Sequence, residues 1–548
     1  MPVRVSPYPL RTRTTTHRWE SMQSTITEEL YEPESFTDAM HSADAAQWEA
    51  AIKDEYDSLM LNKTWSISDL PPGRTAIKSR WVFKIKPGVR GSNPRSKARL
   101  VAKGFSQRYG IDYEETFSPV VKYDTLRIIL SFVAALDLEM SQLDIKTAFL
   151  YGELDDEIYL QQPEGFIISG QESSVCRLHK CLYGLKQASR VWNATFDTFL
   201  RKFGLRPSDA DPCLYLRHHE EEFVSVAIWV DDGLVASNNS SLIEEIISYL
   251  GKHFDMRHGP ANHFVGLSIS RNRKERTLFV AQPDYIRKIL KRFDAMECLP
   301  KSLPADPGTR LLKKVDKTPT EKFPYREAVG SLMYLGLASR PDISFAVGQI
   351  SQFCEDPGQS HWSAVRRILA YLKGTLNHGI RYGQGEDGLL GYCDSDYAGD
   401  PNSRRSTSGF VFLLHGGPVA WSSRRQTSVS LSTTEAEFIA SSEAAREGVW
   451  LSRLVKSIKP GFGEPIRIMC DNQSAIALIK NPVHHQRSKH IEVRYYFVRE
   501  RQEAGDIDVQ YIPTDQQLAD CLTKPLPNPR FSILREMMSV TTVPFDLI

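Results

Sequence analysis

The eight cysteines of this sequence include no C-x-x-C pair and are scattered along the chain. That scatter excludes a small disulfide-stapled domain. It also offers no second pair to complete a zinc site with Cys176, His179 and Cys181, so all eight are read as reduced thiols. No apolar signal segment opens the chain, and the longest apolar run, 223–230, is far too short to span a bilayer. No membrane partner is expected, and the expected setting is intracellular. Acidic residues are missing from one region. Between Leu70 and Ile111 there is no Asp or Glu, whereas Arg74, Lys78, Arg80, Lys84, Lys86, Arg90, Arg95, Lys97, Arg99, Lys103 and Arg108 all fall there. In a chain whose formal net charge is only +1, this local excess is either a solvated basic face or a surface that gathers phosphates.

What is present is globular: 548 residues, 41% hydrophobic and 25% charged, room for about three or four domains. Residues 1–45 begin without an apolar period and are expected to be a flexible arm or linker. Over 43–61, Trp48, Ile52, Tyr56 and Leu59 form one helical stripe. The basic region reads as strands broken by Lys86-Pro-Gly and Gly91-Ser-Asn-Pro. A helix over 125–138 and a buried strand around 143–145 follow. The runs 223–230 and 233–237 predict a β-hairpin with Asp231 and Asp232 at its turn. A Pro-, Lys- and Asp-rich boundary at 300–324 precedes helices over 325–338 and 361–374. Beyond 389 come strands at 389–393, 409–414 and 419–422, then a helix over 433–456 opened by the capping box Ser432-Thr-Thr-Glu435. A strand at 466–470, helices over 473–480 and 489–503, and a strand at 507–512 lead to a last helix that Thr514-Asp-Gln-Gln517 would cap. That order describes a compact α/β domain.

Two sets of acids carry the chemistry. In the first, Asp144 lies inside an apolar strand, Gln142-Leu-Asp-Ile-Lys-Thr-Ala-Phe149, where a carboxylate is costly without a partner. Asp231 and Asp232 end an apolar run. Like charges ~4 Å apart repel by about 1 kcal/mol in water and about 4 at an effective dielectric of 20, and a divalent cation reverses the sign. Phosphoryl transfer uses such sites, and Mg²⁺ prefers carboxylate oxygen. Alone, the Asp-Asp pair reads equally well as a polar hairpin turn. In the second set, Asp394 (Gly391-Tyr-Cys-Asp394) and Asp471 (Ile468-Met-Cys-Asp471) end strands. Glu437 (Glu435-Ala-Glu-Phe-Ile-Ala440) and Asp520 (Gln517-Leu-Ala-Asp520) lie on helices. Such acids would converge on one edge of a sheet. Capping or surface roles suit the neighbouring Glu435, Asp396 and Asp515, and His490 reads as a helix-start residue or a helper in hydrolysis.

The company these acids keep resembles the reverse transcriptase of copia-type LTR retrotransposons. The matching segments are Ser79-Arg-Trp-Val-Phe-Lys84, Lys97-Ala-Arg-Leu-Val-Ala-Lys-Gly-Phe105, Glu115-Thr-Phe-Ser-Pro-Val120 and Leu143-Asp-Ile-Lys-Thr-Ala-Phe-Leu-Tyr-Gly152. Further on come Leu182-Tyr-Gly-Leu-Lys-Gln-Ala188, Trp229-Val-Asp-Asp232, Phe264-Val-Gly-Leu267, Val329-Gly-Ser-Leu-Met-Tyr-Leu335 and Arg340-Pro-Asp342. The second set, with Arg404-Arg-Ser-Thr-Ser-Gly409, Cys470-Asp-Asn-Gln-Ser474 and Lys489-His-Ile-Glu492, resembles the RNase H domain of the same elements.

The resemblance implies an α+β and α/β multidomain fold, a right-hand polymerase of fingers, palm and thumb followed by an RNase H-like domain. Its divisions would be an arm (1–45), fingers, palm and the start of the thumb (46–299), thumb and connection (300–385), an RNase H-like domain (386–526) and a tail (527–548). It implies catalytic acids Asp144, Asp231 and Asp232 for polymerisation, and Asp394, Glu437, Asp471 and Asp520 for hydrolysis. Of these, Asp144, Asp231, Asp394, Glu437, Asp471 and Asp520 would hold metal, two Mg²⁺ per site with Mn²⁺ as the alternative. Lys97, Arg99, Phe149 and Gln187 would meet the incoming nucleotide, with Phe149 sensing the sugar, although a core role for Phe149 and a surface role for Lys97 and Gln187 stay open. Phe264, Gly266 and Leu267 match the strand that grips the primer.

Implied partners are RNA template, DNA primer and product, RNA–DNA hybrid and dNTPs, with an oligomer or other retroelement proteins as further associates. The implied location is a cytoplasmic virus-like particle and the nucleus. The family's Tyr before Val-Asp-Asp is Trp229 here, and its apolar residue after them is Gly233. No zinc knuckle, Asp-Ser/Thr-Gly protease signature or integrase zinc pattern is found, so only the polymerase end is expected, as a processed product or an isolated reading frame. The rival expectations are a catalytically silent nucleic-acid-binding remnant and a nuclease without polymerase activity.

Overall fold

The computed structural model describes residues 31–86, 94–313, 323–463, 465–480 and 492–544. It divides into two units, residues up to 112 with 155–185, and 113–154 with 186 onward. Among the described residues no helix is long and apolar enough to cross a membrane.

The first unit packs the helix Ala45–Leu61 on the antiparallel pair Ser79–Lys86 and Arg95–Ala102. Trp48, buried as its stripe predicts, meets Phe83 edge-on at 5.3 Å. A three-stranded sheet joins Trp65–Ser68, Val175–Lys180 and Glu153–Gln161. Residues 1–30 of the expected arm, and Gly91-Ser-Asn, lie outside the described residues, but Phe36–His41 is a helix whose cap is Ser35.

Among the described residues the second unit holds three sheets. The palm sheet is antiparallel and six-stranded, with Glu139–Ile145 beside Asp232–Ser237 and Glu222–Trp229 at its centre. Alternation along these strands turns Leu143, Ile145, Val226, Ile228 and Val235 onto one face, where Trp192, Phe196, Ile243, Ile246 and Phe254 cover them. A second sheet joins His263–Phe264, Leu267–Asn272, Thr277–Ala281, His378–Tyr382 and Val540–Thr542. The stretch expected as a tail is therefore structured. Its helix Arg530–Met537 and final strand bury Phe531, Leu534, Met538 and Val540, apolar spacing too short to read locally as a domain element.

The third sheet has the order Gly417–Arg425, Thr407–Leu414, Leu390–Ser395, Ile466–Cys470, Ile507–Tyr511. Its first three strands are antiparallel and its last two pairings parallel. The helix Thr433–Ile458 lies against it. Ser432 caps that helix by accepting from Glu435 N–H at 3.1 Å. The Glu435 carboxylate accepts from Leu431 N–H at 2.8 Å, at the same helix start. Thr514-Asp-Gln-Gln517 does not cap the helix that carries Asp520, which is also not the last, since Arg530–Met537 follows it. The segment forms a 3₁₀ turn, and the helix runs Asp520–Thr523, because the fully buried Gln517 amide donates instead to the Cys393 carbonyl at 2.9 Å and the Met469 carbonyl at 3.3 Å. Arg127, on the palm helix Tyr123–Ala135, is 1% exposed. It donates to the carbonyls of Leu337, Ala338 and Val419 and lies 3.9 Å from the centre of the Trp421 ring. Palm and C-terminal sheet therefore share one interior.

Candidate active sites

The palm acids stand where the central strands end. Asp232 faces Asp144 across the strand pair, and Arg257 faces Asp144 from the other side. Ile145 N–H donates to the Asp231 carbonyl at 3.0 Å. The turn consists of Val230 and Asp231, and Asp232 is already the first residue of its strand, because Asp232 pairs with Trp229. The expectation of both acids at the turn is corrected accordingly. Val230 is β-branched yet left-handed, φ +56°, a conformation that persists only when its surroundings impose it. Here Trp192 imposes it, donating its indole N–H to the Val230 carbonyl at 2.7 Å. Trp229 is half-buried with its ring 5.7 Å from that of Tyr123. Gly233 sits in register between Leu143 and Ile228, where a Cβ would make only ordinary contact at 3.4 Å, so this position does not require glycine for want of space at Cβ.

Phe149, in the 3₁₀ turn Ala148–Tyr151 just after Asp144, is half-buried and packs on the palm core with part of its surface outward. Gln187, at the start of the helix Ala188–Lys202, is only 3% exposed, so a solvated surface role does not apply to it. In the first unit, Arg99 pairs across its hairpin with Val82 and lies 4.9 Å from the Tyr183 ring, and Lys97 pairs with Lys84. Glu55 belongs to this neighbourhood although nothing local in its helix signals it. Burial pushes its carboxyl up, and the fields of Lys97 and Arg99 oppose the shift.

In the third sheet, Asp394 lies in the central strand, Asp471 directly follows the next, and Glu437 comes from the helix above. Among the described residues this is the cluster that brings three ligand atoms within 4.8 Å of one another, and the palm trio does not close to that spacing. Asp394 is 2% exposed and accepts from the Thr523 hydroxyl. The Glu437 Oε2 is buried with no hydrogen-bond partner. Burial, and then the charge of Asp394, hold its carboxyl well above the usual range. A buried orphan oxygen facing two other carboxylates is the donor set of a hard divalent cation. The palm trio, all carboxylate, offers the same chemistry.

Asp520 is fully buried and differently placed. It is paired with Lys524 at 2.6 Å and with Arg530, while burial and then Asp394 raise its carboxyl. Lys524 also lies 3.7 Å from Asp394, so an ammonium already stands inside this cluster. Burial pushes Asp396 up to about 7 although it accepts from Thr407 N–H, and Asp515 is exposed in the 3₁₀ turn. His490 lies outside the described residues. Thr523, Lys524, Arg530 and Gln517 carry no acidic signal and were not legible as site residues.

A palm sheet with paired carboxylates, followed by a mixed five-stranded sheet with carboxylates at its strand ends, defines a reverse transcriptase joined to an RNase H-like domain. Residues 62–307 match the reverse transcriptase (RNA-dependent DNA polymerase) family. The retrovirus-related Pol polyprotein from transposon TNT 1-94 of Nicotiana tabacum is 42% identical over 97% of this chain, which spans 40% of that protein. The transposon Ty5-1 protein of Saccharomyces cerevisiae is 32% identical over its whole length and 56% of this chain. The foamy viral protease-reverse transcriptase in complex with RNA/DNA hybrid is similar over 92% of this chain and 56% of its own, at 14% identity and a TM-score of 0.48. The chain belongs to the reverse transcriptase family of copia-type retrotransposon Pol polyproteins.

Proposed function

We propose that this chain synthesises DNA on RNA and DNA templates and cleaves the RNA of RNA–DNA hybrids, at two separate sites. The observation that carries the reading is the facing pair Asp144 and Asp232 at the end of the central palm strands, in a chain whose other acidic cluster lies on a different sheet. Asp144 and Asp231 would hold two divalent cations in the palm, and Asp394, Glu437, Asp471 and Asp520 two in the C-terminal domain, where the ions supply Lewis-acid stabilisation of the attacking and leaving oxygens.

The side chains do the rest. Asp232 adds negative charge beside Asp144. Arg99, with Lys97 near it, neutralises the triphosphate of a dNTP. The outward part of the Phe149 ring excludes a 2′-hydroxyl. The Phe264-Val-Gly-Leu267 hairpin carries the primer end, and the helix Pro283–Arg292 begins the thumb. In the C-terminal domain the hybrid is read through backbone and 2′-hydroxyls. Lys524 and Arg530 keep Asp520 ionised in its buried position, against the pull of burial.

The test is primer extension on an RNA template with Mg²⁺, beside an Asp231→Asn control. Extension by the parent chain that vanishes in the control is the expected result. No extension by folded chain that still binds template would favour the silent remnant, and hybrid cleavage without extension the nuclease.

A further inference from the structure

The hairpin His263–Phe264 to Leu267–Asn272 turns on two residues, Val265 and Gly266, both left-handed with φ +48° and +74°. Two central residues with positive φ make the tight I′ turn of hairpins, which favours Asn and Gly. A β-branched valine there is an outlier and needs something to hold it.

What holds it reaches in from three distant parts of the chain. The Tyr123 hydroxyl, at the start of the palm helix, donates to the Val265 carbonyl at 3.1 Å. The Tyr334 hydroxyl, on the helix Tyr325–Ala338, lies 3.3 Å from the same oxygen and 3.3 Å from the Tyr123 hydroxyl. A carbonyl oxygen has two lone pairs and accepts both donors. The next carbonyl, that of Gly266, accepts from the Gln282 amide at 3.1 Å, and Gln282 in turn accepts from the Ser339 hydroxyl at 2.8 Å. Gln282 is 2% exposed and Ser339 is fully buried. Gly266 is also required sterically, since a Cβ would run into the Tyr334 hydroxyl.

Tyr123 makes a second connection. Its ring lies 5.7 Å from Trp229, the last strand residue before the turn that carries Asp231. One side chain thus contacts the Val265-Gly266 turn and the strand residue that leads into the carboxylate turn. Burial pushes both tyrosine hydroxyls up, so they remain donors throughout the working pH range.

We propose that Tyr123 and Tyr334 are positioning residues of DNA synthesis, setting the Val265-Gly266 turn, and with it the primer 3′ end, against the carboxylate hairpin. This rests on the polymerase reading above. Either hydroxyl alone still satisfies the Val265 carbonyl. Tyr123→Phe and Tyr334→Phe should therefore each slow single-turnover nucleotide incorporation by less than about threefold, and the double variant by about tenfold or more, beyond the product of the singles. Primer–template affinity should stay at the parent value, because the rings remain. Cleavage of RNA–DNA hybrid by the same molecules reports folding and should also stay at the parent value. A double variant that incorporates nucleotide at the parent rate overturns the inference alone. A double variant that loses cleavage together with incorporation assigns the tyrosines to general stability and overturns it too. A parent chain that cleaves hybrid but extends no primer overturns the polymerase reading and the inference with it.

Discussion

Arg340→Met should destabilise the protein more than any surface substitution. Arg340 and Asp342 are both fully buried. The guanidinium donates to both carboxylate oxygens of Asp342, at 2.9 and 2.7 Å, and to the Thr375 carbonyl and hydroxyl, at 3.1 and 2.7 Å. Tyr371 donates its hydroxyl to Asp342 at 2.6 Å. Burial pushes the Asp342 carboxyl up, and the adjacent guanidinium more than reverses this, leaving it below the ordinary range. Methionine fills similar space but leaves the carboxylate buried with the Tyr371 hydroxyl and only the more distant charge of Arg535. Removing one member of such a pair costs about 3–5 kcal/mol, a large share of the roughly 5–15 kcal/mol that holds a domain together. With a urea dependence of about 1–3 kcal/mol per molar, the unfolding midpoint should fall by about 1 M or more. Urea titrations followed by tryptophan fluorescence read this directly. Arg340→Met/Asp342→Leu, which removes both charges, should recover at least half of the loss. A single variant costing less than about 1 kcal/mol, or a double variant no better than the single, would refute the reasoning.

Asp144→Asn should abolish primer extension and leave hybrid cleavage intact, and Asp471→Asn should do the reverse; loss of both activities in either folded variant would sink the two-site reading. Glu437→Gln should abolish cleavage yet raise the unfolding temperature of the ion-free protein, by about 2–4 °C for each kcal/mol of burial and repulsion penalty removed with the carboxylate, as calorimetry in chelator would show. Burial, followed by the fields of Arg340 and Arg535, pushes the His378 imidazole down to about 4. The unfolded chain therefore takes up the proton first, and the stability this residue contributes is complete above about pH 6.5 and lost as pH falls towards 4. Unfolding midpoints measured across that window should flatten in His378→Asn.

Helices and strands were legible where each carries its apolar pattern over its own length. The amphipathic run Tyr325–Ala338 is one case, and the buried apolar strand Leu390–Ser395 that carries Asp394 is another. The acids were legible for the complementary reason, since a carboxylate ending an apolar run needs an explanation wherever it occurs. What sequence reading missed depends on partners far away along the chain. Gln517 left its capping pattern for carbonyls 124 and 48 residues distant. The strand Val540–Thr542 pairs with His378–Tyr382, so its short apolar run has meaning only in the assembled sheet. The left-handed valines at 230 and 265 are invisible to propensity, because valine is a strand residue and only Trp192, Tyr123 and Tyr334 hold it otherwise.

The buried Arg127 has a consequence for heredity. Its guanidinium belongs to the palm, while the carbonyl of Val419 and the ring of Trp421 belong to the C-terminal domain. A crossover that joined the front half of one element to the back half of another would bring together an arginine and a receptor that had not diverged side by side. Offspring lacking the match would bury a guanidinium that keeps Asp124 of its own helix but loses its acceptor and its ring contact across the seam. The two halves should therefore travel through a lineage as one heritable block, with exchange tolerated outside it.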